Sequence, residues 1–176
     1  MTLEKINALP MSSQIKQIQA HYLPVEDRIM LKIHTDEKQV FHAWLTRRYL
    51  KLLLPVLQGQ HPQTGDTLLK NKISSATNQN EVLMPAGDFE QAYQPPEDAN
   101  FPLGDTPILL SQMTFRGFDT ESPQLVLEPE AGSGIVLSYE PGFLNALLTL
   151  VQQAASQADW QFDRFIHQKP ESDTLQ

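Results

Sequence analysis

The sequence predicts an α+β protein made of two pseudo-repeated β-β-β-α units, each an antiparallel meander followed by a helix, joined by a long acidic connection that contains prolines. Three observations predict it. Apolar and polar residues alternate in short runs broken by turn residues, first over 15–45 and again over 107–139. Each set of runs leads into a segment of helical spacing. The segment "YLKLLLPVL" (49–57) also overlays "FLNALLTLV" (143–151), so that Tyr49 meets Phe143, Leu50 meets Leu144 and Leu53 meets Leu147.

The first unit covers 12–59. In "IKQIQAHY", Ile18, Ala20 and Tyr22 share a face, and "LPVEDR" supplies the turn that follows. "RIMLKIH" sets Ile29, Leu31 and Ile33 against Arg28, Met30, Lys32 and His34, the pattern of a strand with one wet face. "TDEK" turns the chain into "QVFHAWL", and symmetry about that turn brings His34 opposite His42. Thr46 is the expected N-cap of a helix that runs to Gln58 and stops at Gly59. Its apolar stripe is Tyr49, Leu52, Leu53, Val56 and Leu57.

Residues 60–105 form the connecting segment. One short helix capped by Asp66 is the element expected inside it, and Phe89, Tyr93 and Phe101 are expected to pin it to the body. The second unit, 106–158, repeats the plan of the first. "PILLSQMTFRGF", "QLVLE" and "IVLSY" are its strands, and Pro141 at the N1 position opens its helix. That helix presents Phe143, Ala146, Leu147, Leu150, Val151 and Ala154 as a stripe. Both stripes are broad enough to require cover by the unit's own sheet and by the other helix or a second subunit. In the tail, 159–176, Trp160, Phe162 and Phe165 are expected to pack on the body.

Composition narrows the functional classes. A chain of 176 residues makes one domain of two halves, and its size supports a core without cross-links. It has no cysteine, which excludes disulfides, thiolate metal sites and thiol nucleophiles. No signal-peptide pattern opens it, and no run approaches the roughly 18 apolar residues of a membrane span, so a soluble cytoplasmic protein without a membrane partner is expected. The net charge of −8 is uneven. Residues 1–58 hold eight Lys/Arg against five Asp/Glu, whereas 59–176 hold five against sixteen. The segment 81–105 alone has six acids and no base, and it either lies over the basic half of its own chain or docks on a partner.

The chain holds no constellation that points to catalysis. Its histidines (His21, His34, His42, His61 and His167) lack metal-ligand spacing, and its paired carboxylates fall in turns. The glycines Gly132 and Gly134 lie between strands, where a phosphate cradle would need a helix start. Neither a cofactor nor a metal is therefore expected, and an enzyme of unrecognised type stands only as a second alternative to the binding readings below.

Two clusters remain as candidate binding sites. Arg47, Arg48 and Lys51 sit at the start of a helix, where positive charge opposes the macrodipole at about 0.3–1 kcal/mol for each exposed group. An acid of the same molecule, such as one from 81–105, or an external anion is expected to offset them. The wet face of the first sheet offers Arg28, Lys32, His34 and Trp44. The reading favoured is a non-catalytic binding or assembly protein that takes a protein partner or self-associates. The alternative is a binder of single-stranded nucleic acid, which the acidic balance disfavours. In bare topology the paired sheet-plus-helix units resemble the Whirly and Pur-type single-strand binders, which use four strands and a helix per repeat. This chain has three strands per unit and shares no sequence motif with them.

Overall fold

The computed structural model describes residues 14–69 and 94–161. Three strands, β1 (Ile15–Leu23), β2 (Arg28–Thr35) and β3 (Val40–Leu45), lead into α1 (Arg47–Leu57). Then come β4 (Ile108–Leu109), β5 (Gln112–Arg116), β6 (Gln124–Glu128) and β7 (Ile135–Ser138), followed by α2 (Pro141–Gln157). The result is a mixed α+β protein with a four-stranded sheet ordered β1-β2-β3-β4 and a three-stranded sheet ordered β5-β6-β7.

Period-2 patterning fixes the first meander. Register pairs Ile18 with Ile33 and Ile33 with Phe41, and Ala20 with Leu31 and Leu31 with Ala43. These rows form the inner face and are buried apart from the partly buried Ala20. The turns are closed by residues in the left-handed region, Asp27 at φ 48° and Lys38 at φ 61°. Thr46 caps α1 as its sequence implies, its hydroxyl accepting from the Tyr49 N–H at 3.2 Å. Pro55 lies within the last turn, and the chain leaves the helix through Gly59 at φ 84°.

The two halves are interleaved. The strand expected from "PILLSQMTFRGF" divides at Leu110. Its first part pairs in parallel with β3, where Leu110 N–H donates to the Trp44 carbonyl, and the next residue, Ser111, donates to Glu128 of the second sheet. One buried leucine, Leu110, is thus the crossing point between the sheets. The helices cross as well. α2 packs on β1 and β2 of the first sheet and against α1, so the expectation that each helix covers its own sheet fails for α2. α1 is joined to the second half by two tyrosines. The Tyr49 hydroxyl donates to the Gln112 carbonyl at 2.9 Å, and the buried Tyr139 hydroxyl donates to the Val56 carbonyl. A single apolar core results, running from Ile18 through Leu53 and Leu125 to Val151.

Packing between both halves also explains which helix residues are buried. α1 buries Tyr49, Leu50, Leu53, Leu54, Val56 and Leu57, while Leu52 of the expected stripe faces solvent. α2 buries Leu144 and Ala155, whereas Ala146 and Leu150 are only partly covered. No helix starts at Asp66: His61 N–H donates to the Asp66 carbonyl, and Thr67 forms a bridge with Gln60. The remainder of that expected helix, with Phe89, Tyr93, Phe162 and Phe165, lies outside the described residues. Trp160 is buried as expected.

Candidate functional site

The outer face of the first sheet follows from the same register. Alternate residues form cross-strand rows: Gln17–His34–Val40, then Gln19–Lys32–His42, then His21–Met30–Trp44–Leu109. Arg28 stands beyond the last row, and its guanidinium lies 6.0 Å from the centre of the Trp44 ring, in cation–π range. No strand of the sheet contributes an acid to this face. On a chain of net charge −8, one surface thus gathers Arg28, Lys32 and three histidines around a tryptophan.

The expected wet face is only half wet. Met30 and His34 are 8% and 5% exposed. Part of the cover comes from 94–100. Gln94 N–H donates to the Gln17 side chain on β1 at 3.4 Å, while Asn100 hydrogen-bonds Lys38 and Val40 at the flank of β3. The chain therefore crosses the outer face over the row that contains His34. It then follows β3, placing the Phe101 ring 5.7 Å from that of His42 and the Asp105 carbonyl 3.4 Å from His42 Nδ1. Residues 94–105 of the acidic connection thus lie against the first sheet, while 81–93 fall outside the described residues. The crossing leaves Arg28, Trp44, Lys32 and the 44%-exposed Leu109 at the other end.

Histidine chemistry on this face is set by burial and neighbouring cations. Burial, and then Lys32, lowers the pKa of His21; burial, and then Lys16, lowers that of His34. His34 and His42 are not opposed across the turn, because His34 pairs with Val40 and Lys32 with His42. The two-residue offset arises because Gln39 also belongs to the turn, where its carbonyl accepts from Thr35 N–H.

The second cluster lies at the start of α1. Arg47, Arg48 and Lys51 are all exposed on α1. Among the described residues, an acid near Arg47 comes from the β1–β2 turn: the Arg47 charge helps lower the pKa of Asp27, after the hydrogen bonds that Asp27 accepts from Trp160 and Tyr22. The structure thus gathers Arg28, Trp44 and Lys32 on one face, sets His34 under the crossing segment, and leaves the helix-start cations to one side. Sequence reasoning missed His21, Phe101 and Leu109 as parts of this surface. Strand alternation was a usable signal for His21, whereas the other two depend on long-range register.

Among the described residues, no group of three or more His, Asp or Glu side chains is placed to hold a metal ion. No helix among them is long and apolar enough to cross a membrane. Comparison with protein-family models, characterised proteins and solved structures finds no match for this chain.

Proposed function

We propose that the protein is a non-catalytic binding and assembly protein that docks an acidic protein partner on the outer face of its first sheet. The observation that supports this most is the segregation of charge, in which Arg28, Lys32 and Trp44 share a face to which none of the four strands contributes an acid, in a chain of net charge −8. The buried tyrosine hydroxyls donate to backbone carbonyls, a structural role, and the carboxylates of the turns stay solvated. We read the two meander-plus-helix units as products of duplication whose helices became shared, and self-association as part of the assembly role. A cysteine-free chain suits the reducing cytoplasm.

A second reading, binding of single-stranded nucleic acid, is favoured by one feature. Arg28 over Trp44, with Lys32 and His42 in the adjacent row, is a base-stacking arrangement among cations. Tryptophan quenching separates the two readings, because Trp160 is 4% exposed and ligand-induced quenching therefore reports Trp44. A poly-glutamate peptide is expected to quench at low salt and lose its effect as salt rises. Quenching by oligothymidylate alone favours the second reading, and quenching by neither rejects both.

A further inference from the structure

His42 stands where the first sheet meets the connecting segment, and its surroundings decide which ring nitrogen takes up a proton. Its Nδ1 lies 3.4 Å from the Asp105 carbonyl oxygen. A carbonyl only accepts, so this contact is a hydrogen bond when Nδ1 carries the hydrogen of the neutral ring. Nε2 is then the basic nitrogen: an acceptor in the neutral ring, and a second donor in the protonated one. The Phe101 ring packs on the imidazole at 5.7 Å, inclined at 63°, so the connecting segment holds it by two contacts.

Neighbours on the sheet decide what that proton does. Lys32 on β2 is the register partner of His42, and the Arg28 guanidinium lies by Trp44, two residues along β3. β2 also carries His34, opposite Val40, and β1 carries His21, opposite Met30. The connecting segment brings Asp105, whose carboxylate accepts the Thr106 hydroxyl at 3.5 Å. These are the charged and titratable groups around His42 among the described residues. A neutral Nε2 meets a partner's carboxylate acceptor to acceptor, which repels it. A protonated Nε2 meets it with a charge-assisted hydrogen bond, beside Lys32 and Arg28.

We propose that His42 makes the docking face proton-linked: protonated at Nε2 it donates to a carboxylate of the acidic partner, so binding strengthens as pH falls. The inference rests on the docking reading above and gives that face its regulation. Partner and proton favour each other by the same factor. His21, whose pKa is lowered by burial and then by Lys32, takes its proton below the ordinary 6.5 and extends the gain toward acid.

Poly-aspartate is the probe, because its carboxylates, with an ordinary pKa of about 3.9, stay ionised across the range tested. Titrations followed by Trp44 quenching are expected to give a Kd about fivefold lower at about pH 6 than at about pH 8. His42→Gln is expected to lose most of that ratio, whatever its affinity at the higher pH. NMR of the imidazole nitrogens in the unaltered chain gives a second readout. The neutral His42 ring is expected to carry its hydrogen on Nδ1, and its protonated fraction at about pH 6.5 to rise when the peptide is added. Equal binding at the two pH values, a ratio that His42→Gln retains, or a neutral ring with its hydrogen on Nε2 overturns this inference and leaves the docking face standing. Quenching at neither pH overturns both.

Discussion

Trp160 donates its indole N–H to Asp27 Oδ1 at 2.9 Å, joining the residues just after α2 to the β1–β2 turn, 133 positions away. The same oxygen accepts the Tyr22 hydroxyl at 2.8 Å, and the Tyr22 and Trp160 rings meet edge to face at 5.7 Å. One carboxylate thereby holds the β1–β2 turn, β1 and the end of α2 together, with the Arg47 charge beside it. Trp160→Phe keeps the ring contact and removes the donor, so the melting temperature is expected to fall. Asp27→Asn is expected to lower it as well. The double variant should lose less than the sum of the two, since both substitutions break one bond. Thermal unfolding followed by circular dichroism checks this.

The pKa shifts set a stability window. His21 and His34 titrate lower in the folded chain than their ordinary value of 6.5. The unfolded chain thus binds more protons just below that pH, and stability falls as the solution is acidified from there. Asp27, also lowered, adds a second loss below 3.8 as pH drops through its folded value. Tyr139 is pushed up to about 12 from 10.0 by burial, so its contribution is complete below 10 and lost as pH rises toward 12. Urea midpoints measured across pH are expected to form a plateau between the histidine and tyrosine limbs. His21→Gln should flatten the limb just below 6.5.

Removing the tyrosine hydroxyls tests whether α1 is fastened to the second half. Tyr49→Phe deprives the exposed Gln112 carbonyl of its donor, at an expected loss of about 0.5–1 kcal/mol. Tyr139→Phe is expected to cost about 1 kcal/mol, since the Val56 carbonyl keeps the Gly59 N–H. Chemical denaturation with unchanged slopes checks both.

Two turn positions should respond in opposite directions. A side chain at Gly134 would meet the Leu127 carbonyl and the Cα and Cγ of Glu128, so Gly134→Ala is expected to cost roughly 1–3 kcal/mol. Lys38 holds φ at 61°, a conformation that glycine adopts without strain. Lys38→Gly is therefore expected to stabilise by up to about 1 kcal/mol. Denaturation midpoints decide each sign.

Local pattern made much of this fold legible. Alternation in 28–34 and the aromatic and β-branched run at 40–45 located β2 and β3, and Thr46 announced α1, because these signals depend on neighbours along the chain. Both candidate clusters were also visible as residue types. What stayed hidden depends on distant segments. The division of a strand at Leu110 follows from pairing with Trp44 on one side and Glu128 on the other. The approach of Gln94 to Gln17, in the row of His34, follows from a segment far along the chain, and an acid near Arg47 is Asp27, from a turn that the folded hairpin brings near. The overlay of 49–57 on 143–151 gave no hint that α2 packs on β1.

The most direct test of the proposed docking face is residue-resolved NMR of the amide signals during titration with a poly-glutamate peptide, repeated on Arg28→Glu/Lys32→Glu. Shifts concentrated at Arg28, Lys32, His42 and Trp44 are expected, and their loss in the double variant with the rest of the spectrum unchanged. Shifts centred on Arg47, Arg48 and Lys51, or shifts that persist in the double variant, would contradict it.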